Sequence, residues 1–231
     1  MTARYLNRLA VAAMHDPEEP LPPEQQLALS YSPQHLRPKL AGFFALDRRL
    51  GTIVAKTTEP LLGQMRLAWW RDMLGRPVDE RPKGDPVLDQ IGQYWCGLEQ
   101  DLLHLVDAWE VMVTQETLGS DQIEAFGNGR STPLICLSGH PSGSDGGQVC
   151  AAAWCWALAD AACGVSAPQE RALLVEAGLS RSLAGGRWPR HLRGIGVLDA
   201  LSRRALLRGG RPLMEGRGAA LVALRAGLLG R

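Results

Sequence analysis

An all-helical single domain is the fold this sequence predicts, and three observations predict it. Apolar residues recur at i, i+3 and i+4 in the long segments, no segment alternates with the period of two of a half-buried strand, and helix-start signals precede most of the periodic runs. About ten helices joined by short turns favour one α-domain over residues 1–231.

In chain order, Ser32-Pro33 reads as a cap followed by proline at the first helical position. Behind it Leu36, Leu40, Phe43, Phe44, Leu50 and Val54 keep helical spacing. A second helix begins near Glu59-Pro60 and carries Leu61, Met65, Trp69 and Met73 in line, with Gly75 where a left-handed cap would fall. Trp70, one residue on from Trp69, points about 100° away and belongs under another helix or at a cavity wall. Asp85-Pro86 opens a third helix, with the Asp85 carboxylate spent on capping. Leu98 to Thr117 forms the next, and Asp107 and Glu110 on it are assigned to a solvated face. Ser120 starts another, which Gly127, Gly129 and Pro133 are expected to disturb on the way to Leu137. Residues 138–148, SGHPSGSDGGQ, read as a flexible loop. Val149 to Cys163 is apolar nearly all round, the mark of a buried central helix. Further helices start near Ser166-Pro168, lie between Pro189 and Gly209-Gly210, and span Ala219 to Leu229.

Composition excludes several function classes. With 45% hydrophobic and 21% charged residues the chain is an ordinary globular one. A net charge of +1 argues against a general nucleic-acid binder. The charge is nevertheless uneven: from Arg181 onward eleven arginines face only Asp199 and Glu215. That segment reads either as a surface for anionic partners or as solvated helix faces. Arg204 and Arg208 share one helical face there. The five cysteines include no C-x-x-C pair, which fits reduced thiols better than zinc or a secreted disulfide framework. The apolar patch from Leu9 to Met14 is too short for a secretory signal, so a cytoplasmic location is expected, at most peripheral to the inner membrane.

The common chemical motifs fail on spacing. There is no Gly-Lys-Ser/Thr phosphate loop, no G-x-S-x-G elbow and no H-E-x-x-H. Asp47 and Asp160 stand alone on apolar or basic helices, and a buried lone aspartate usually has an arginine or backbone partner.

The stretch from Leu27 to Leu74, with Tyr31-Ser32-Pro33, Arg37, the FFAL helix, Glu59-Pro60 and Trp69-Trp70-Arg71, resembles the squalene/phytoene synthase family. A weaker similarity covers Leu102 to Leu137. Trp156 to Asp160 and Trp188 to Arg193 are similar to a divergent branch that includes proteins like the assembly factors of respiratory complex I. The resemblance implies an isoprenoid-synthase-type helical bundle around a central apolar cavity. It implies Phe43, Phe44, Trp69, Trp70 and Trp156 as cavity or substrate residues, and Arg37, Arg204 and Arg208 as anion-binding residues. Active members hold Mg2+ between two aspartate-rich motifs, against the diphosphate of a prenyl substrate. Here the first motif's place is taken by Leu50, Gly51, Thr52, Ile53 and Val54, and Asp160 stands alone where the second belongs. The expectation is therefore a non-catalytic protein with an isoprenoid- or lipid-binding or assembly role, no cofactor, and an anionic membrane surface or a protein as partner. The alternative is an active head-to-head prenyl transferase using Mg2+ through Asp47 and Asp160, the catalytic candidates, with Asp107 or Glu110 as a further ligand.

Overall fold

The computed structural model describes residues 20–115, 117–139, 143–182 and 186–231. The Leu9–Met14 patch lies outside them. The described residues contain ten α-helices: α1 (Pro23–Ser30), α2 (Arg37–Lys56), α3 (Pro60–Gly75), α4 (Pro86–Tyr94), α5 (Glu99–Thr114), α6 (Ser120–Leu137), α7 (Gly143–Gly164), α8 (Pro168–Ser180), α9 (Arg193–Leu207) and α10 (Gly218–Leu229). Short 3-10 turns at Val78–Glu80 and Arg190–Leu192 complete the regular structure.

Packing runs from neighbour to neighbour. α5 lies against α3 and α6, α7 against α6, α8 and α9, and α9 against α1 and α10, while α2 packs on α4 and α5. One continuous apolar core extends from Ala28 on α1 to Ala226 on α10. α7 is its axis, with Ala152 to Ala159 buried without interruption, because small and apolar residues occupy every side of that helix.

Several local expectations hold. Asp85 Oδ1 accepts the Val87 and Leu88 N–H groups at 2.9 and 3.0 Å and so caps α4. Its Oδ2 meets Arg49 at 2.9 Å.

Others need correction. α1 precedes the expected first helix, and Ser32 belongs to its end: the Ser32 hydroxyl donates to the Ala28 carbonyl at 2.7 Å. The Pro33 carbonyl accepts from Leu36 and Arg37, so Pro33 begins a turn that feeds α2 instead of the helix itself. Gly75 is the last helical residue of α3, and the chain leaves through Arg76 in an extended conformation, with no left-handed cap. Residues 143–148 of the expected loop are helical, with Asp145 in the first turn favouring the positive end of the helix dipole; 140–142 lie outside the described residues.

The glycines of α6 do not break it. A Cβ at Gly129 would sit 2.5 Å from the His104 carbonyl oxygen, and one at Gly127 would sit 2.5 Å from the Trp154 ring. Both therefore serve close approach to α5 and α7. On α3 the buried residues are Gly63, Leu67, Trp70, Met73 and Leu74. Trp69 and Met65 fall outside this set, 41% and 61% exposed, so of the aligned Met65, Trp69 and Met73 only Met73 reaches the core. Asp107 and Glu110 are not merely solvated: Arg71 reaches across from α3 and binds each at 2.5 Å.

Candidate functional site

The two lone aspartates meet at a third residue. Asp47 on α2 is 1% exposed and Arg130 on α6 is 2% exposed. Arg130 Nε donates to Asp47 Oδ1 at 2.9 Å and Nη2 to Asp47 Oδ2 at 2.6 Å, a two-pronged pair. The same Nη2 donates to Asp160 Oδ2 on α7 at 2.5 Å, and Nη1 donates to the Ala157 carbonyl at 2.9 Å. Trp109 on α5 adds a hydrogen bond from its indole N–H to Asp47 Oδ1 at 2.8 Å. One guanidinium thus ties α2, α6 and α7 together, and one carboxylate brings in α5.

Aromatic rings enclose the guanidinium. Its carbon lies 4.6 Å from the Trp156 ring centroid, 5.0 Å from that of Trp109 and 5.6 Å from that of Phe126. Burial alone would favour loss of the charge, but the Asp47 and Asp160 carboxylates outweigh it and hold Arg130 above its already high ordinary value. The cation is permanent.

Beside this cluster opens a cavity of about 190 Å³. Asp47, Thr52, Trp109, Arg130 and Asp160 form one side, Glu24 and Gln25 of α1 another, and Leu213 and Met214 a third. Burial pushes the Glu24 carboxyl up to about 7, against a lowering backbone hydrogen bond and with the Asp160 charge adding to the rise. Both of its protonation states are therefore populated near neutrality. Cys163, also on the wall, donates its thiol to the Asp160 carbonyl at 3.0 Å. Burial and the nearby Asp160 charge push that thiol well up, away from the thiolate a nucleophile needs.

The aromatic residues expected to line a substrate cavity stand elsewhere. Phe43, Phe44 and Trp156 are fully buried and pack on one another, with centroids 5.2–5.8 Å apart. None of these three, nor Trp69 or Trp70, lines this cavity. Trp156 acts on the site through its face, against Arg130.

The expected anion-binding arginines hold backbone carbonyls. Arg37 donates to the Ser32 and Ser30 carbonyls at 3.0 and 3.1 Å, finishing α1. Arg204 and Arg208 do share a face, and both donate to the Glu215 carbonyl, at 2.9 and 3.1 Å. They fix the segment ahead of α10.

Asp47 and Asp160 are the side chains that could grip a cation, and the guanidinium nitrogen occupies the point between them. Among the described residues no group of three or more His, Cys, Asp or Glu side chains is placed to hold a metal.

Arg130 and Glu24 are not among the sequence candidates. For Arg130 a signal exists: it stands four residues after Phe126 and four before Leu134, on the apolar face of its helix. An arginine there requires a buried carboxylate, and two lone aspartates were available. Glu24 carries no such signal, since an acid in a helix's first turn is ordinary.

Comparison with family models, with curated proteins and with solved structures gives no match to this chain.

Proposed function

We propose that this chain is a non-catalytic relative of the squalene/phytoene synthases, an isoprenoid-synthase-type bundle whose cavity takes a small, mainly apolar ligand in a lipid-binding or assembly role. The observation that carries this reading is Arg130, lodged between Asp47 and Asp160. A prenyl transferase must neutralise a departing diphosphate, and Mg2+ between carboxylates supplies that charge. Here Asp47 and Asp160, the carboxylates available for such a role, are satisfied by a side chain that is buried, stacked and hydrogen-bonded. Opening such a pair costs about 3–5 kcal/mol before any metal enters.

Charge and size support the reading. On the cavity wall Arg48 and Arg130 oppose Asp47 and Asp160, with Glu24 partly ionised, so a diphosphate meets no cationic excess. A volume of about 190 Å³ is below the roughly 300–1,000 Å³ of drug-sized ligand pockets. It suits one short apolar body better than two prenyl chains.

The rival reading, an active Mg2+-dependent transferase, draws on the convergence of Asp47 and Asp160 on one point, and it requires Arg130 to leave. Calorimetric titration with Mg2+, alone and with farnesyl diphosphate, separates the two, alongside product analysis with farnesyl and geranylgeranyl diphosphates. The expected result is no saturable Mg2+ binding and no squalene or phytoene. Mg2+-dependent product that disappears in Asp47→Ala or Asp160→Ala overturns the non-catalytic reading.

A further inference from the structure

α10 carries an apolar face that nothing among the described residues covers. Its buried side is Ala219, Ala223, Ala226 and Gly227, packed toward α9. On the opposite side Leu221, Leu224 and Leu228 are 70%, 44% and 59% exposed. At 100° per residue these three leucines fall within an arc of about 60°, a continuous stripe along the outer surface.

Cations surround the stripe. Arg217 precedes the helix, Arg225 stands within it and Arg231 follows it, all exposed, and no acid occurs from Gly216 to Arg231. The Trp188 N–H donates to the Gly230 carbonyl at 2.8 Å, which brings exposed Arg187 to the far end of the same helix. At the near end Arg204 and Arg208 clamp the Glu215 carbonyl and so set where α10 begins. An outward leucine stripe with an arginine rim, on a helix held rigidly to the core, has the pattern of an interfacial helix.

We infer that α10 docks on an anionic lipid surface, with Leu221, Leu224 and Leu228 at the acyl boundary and the flanking arginines on the headgroups. The helix has 12 residues, about 18 Å at 1.5 Å per residue, against a hydrocarbon core about 30 Å thick. No helix among the described residues is long and apolar enough to cross a membrane, so α10 lies in the interface plane. Lipid fits better than an acidic protein because the stripe is aliphatic throughout. It has no aromatic anchor of the kind that concentrates protein–protein binding energy. The inference is independent of the cavity reading, since α10 does not line the cavity.

The test is co-sedimentation of the full chain with vesicles of phosphatidylcholine alone, and of two parts phosphatidylcholine to one part phosphatidylserine. Binding is expected to the mixed vesicles and to weaken as salt is raised. The triple variant Leu221→Ala, Leu224→Ala, Leu228→Ala should bind them roughly tenfold less or weaker still, with its circular dichroism unchanged because the three side chains are exposed. A second variant, Arg217→Gln with Arg225→Gln, should lose affinity for the mixed vesicles to a similar degree. Failure of the wild type to bind mixed vesicles at low salt overturns the inference. So does undiminished binding by the leucine variant, or capture of an acidic protein through α10 while vesicles are ignored.

Discussion

Replacing Arg130 with methionine tests the central cluster most directly. The substitution keeps much of the side-chain volume between Trp109, Phe126 and Trp156, so packing against the rings is largely retained. What disappears is the charge. Asp47, 1% exposed, keeps the Trp109 indole N–H but loses both guanidinium hydrogen bonds. Asp160, with a side chain 30% exposed, can recover water. The cost therefore falls mainly on Asp47, at about 3–5 kcal/mol for a buried carboxylate stripped of its partner. For a chain of this length about 1 kcal/mol corresponds to roughly 2–4 °C, so the melting temperature should fall on the order of 10 °C. The double variant Arg130→Met with Asp47→Leu removes both charges and should regain most of the loss. Urea unfolding followed by circular dichroism gives the cycle, and its coupling energy should exceed about 2 kcal/mol. A single variant within about 1 kcal/mol of wild type, with effects that simply add, would refute the assignment of Arg130 as the partner that makes Asp47 tolerable.

Three further outcomes follow from the structure. The folded Glu24 carboxyl sits near 7 against an ordinary 4.5, so between those values the folded state holds more protons than the unfolded one. Its contribution to stability must therefore fall as pH rises through that window. Glu24→Gln should gain melting temperature relative to wild type from about pH 5 to pH 8, and a flat difference would show that Glu24 titrates normally. Gly129→Ala should lose about 1–3 kcal/mol, because its methyl meets a backbone oxygen of α5. Gly147→Ala, on the open side of α7, should be neutral or gain up to about 1 kcal/mol. Equal melting temperatures for the two alanine variants would remove close approach as the reason for Gly129.

The helices beyond α1 were legible because their apolar positions repeat over two or more turns. α1 was not: eight residues with only Gln25 and Ala28 buried give too little period to read. The start of α7 was hidden for a different reason. Its glycine- and serine-rich first turns have poor intrinsic helix propensity, and docking against the core overrides it. Adjacent tryptophans cannot both face inward, and nothing local says which does. The neighbours Leu67 and Leu74 decide for Trp70, and that stripe becomes visible only once α3 is placed against α5. Asp47 and Asp160 were readable as isolated acids, but their meeting is a property of three-dimensional packing. Arg130 was masked by Asn128, Gly129, Ser131 and Thr132, which make its surroundings look like surface.

A metal held by Asp47 and Asp160 would come and go by mass action, and its occupancy would follow supply, competing ions and chelators. The guanidinium that sits there has no dissociation equilibrium. It arrives with α6 when the helices assemble, and displacing it breaks the hydrogen bonds to Asp47 and Asp160. Nor does it titrate at any pH a cell reaches. The charge that Asp47 and Asp160 face is thereby constant, while Glu24 on the same wall follows pH. The positive charge at this point is set by whether the chain is folded.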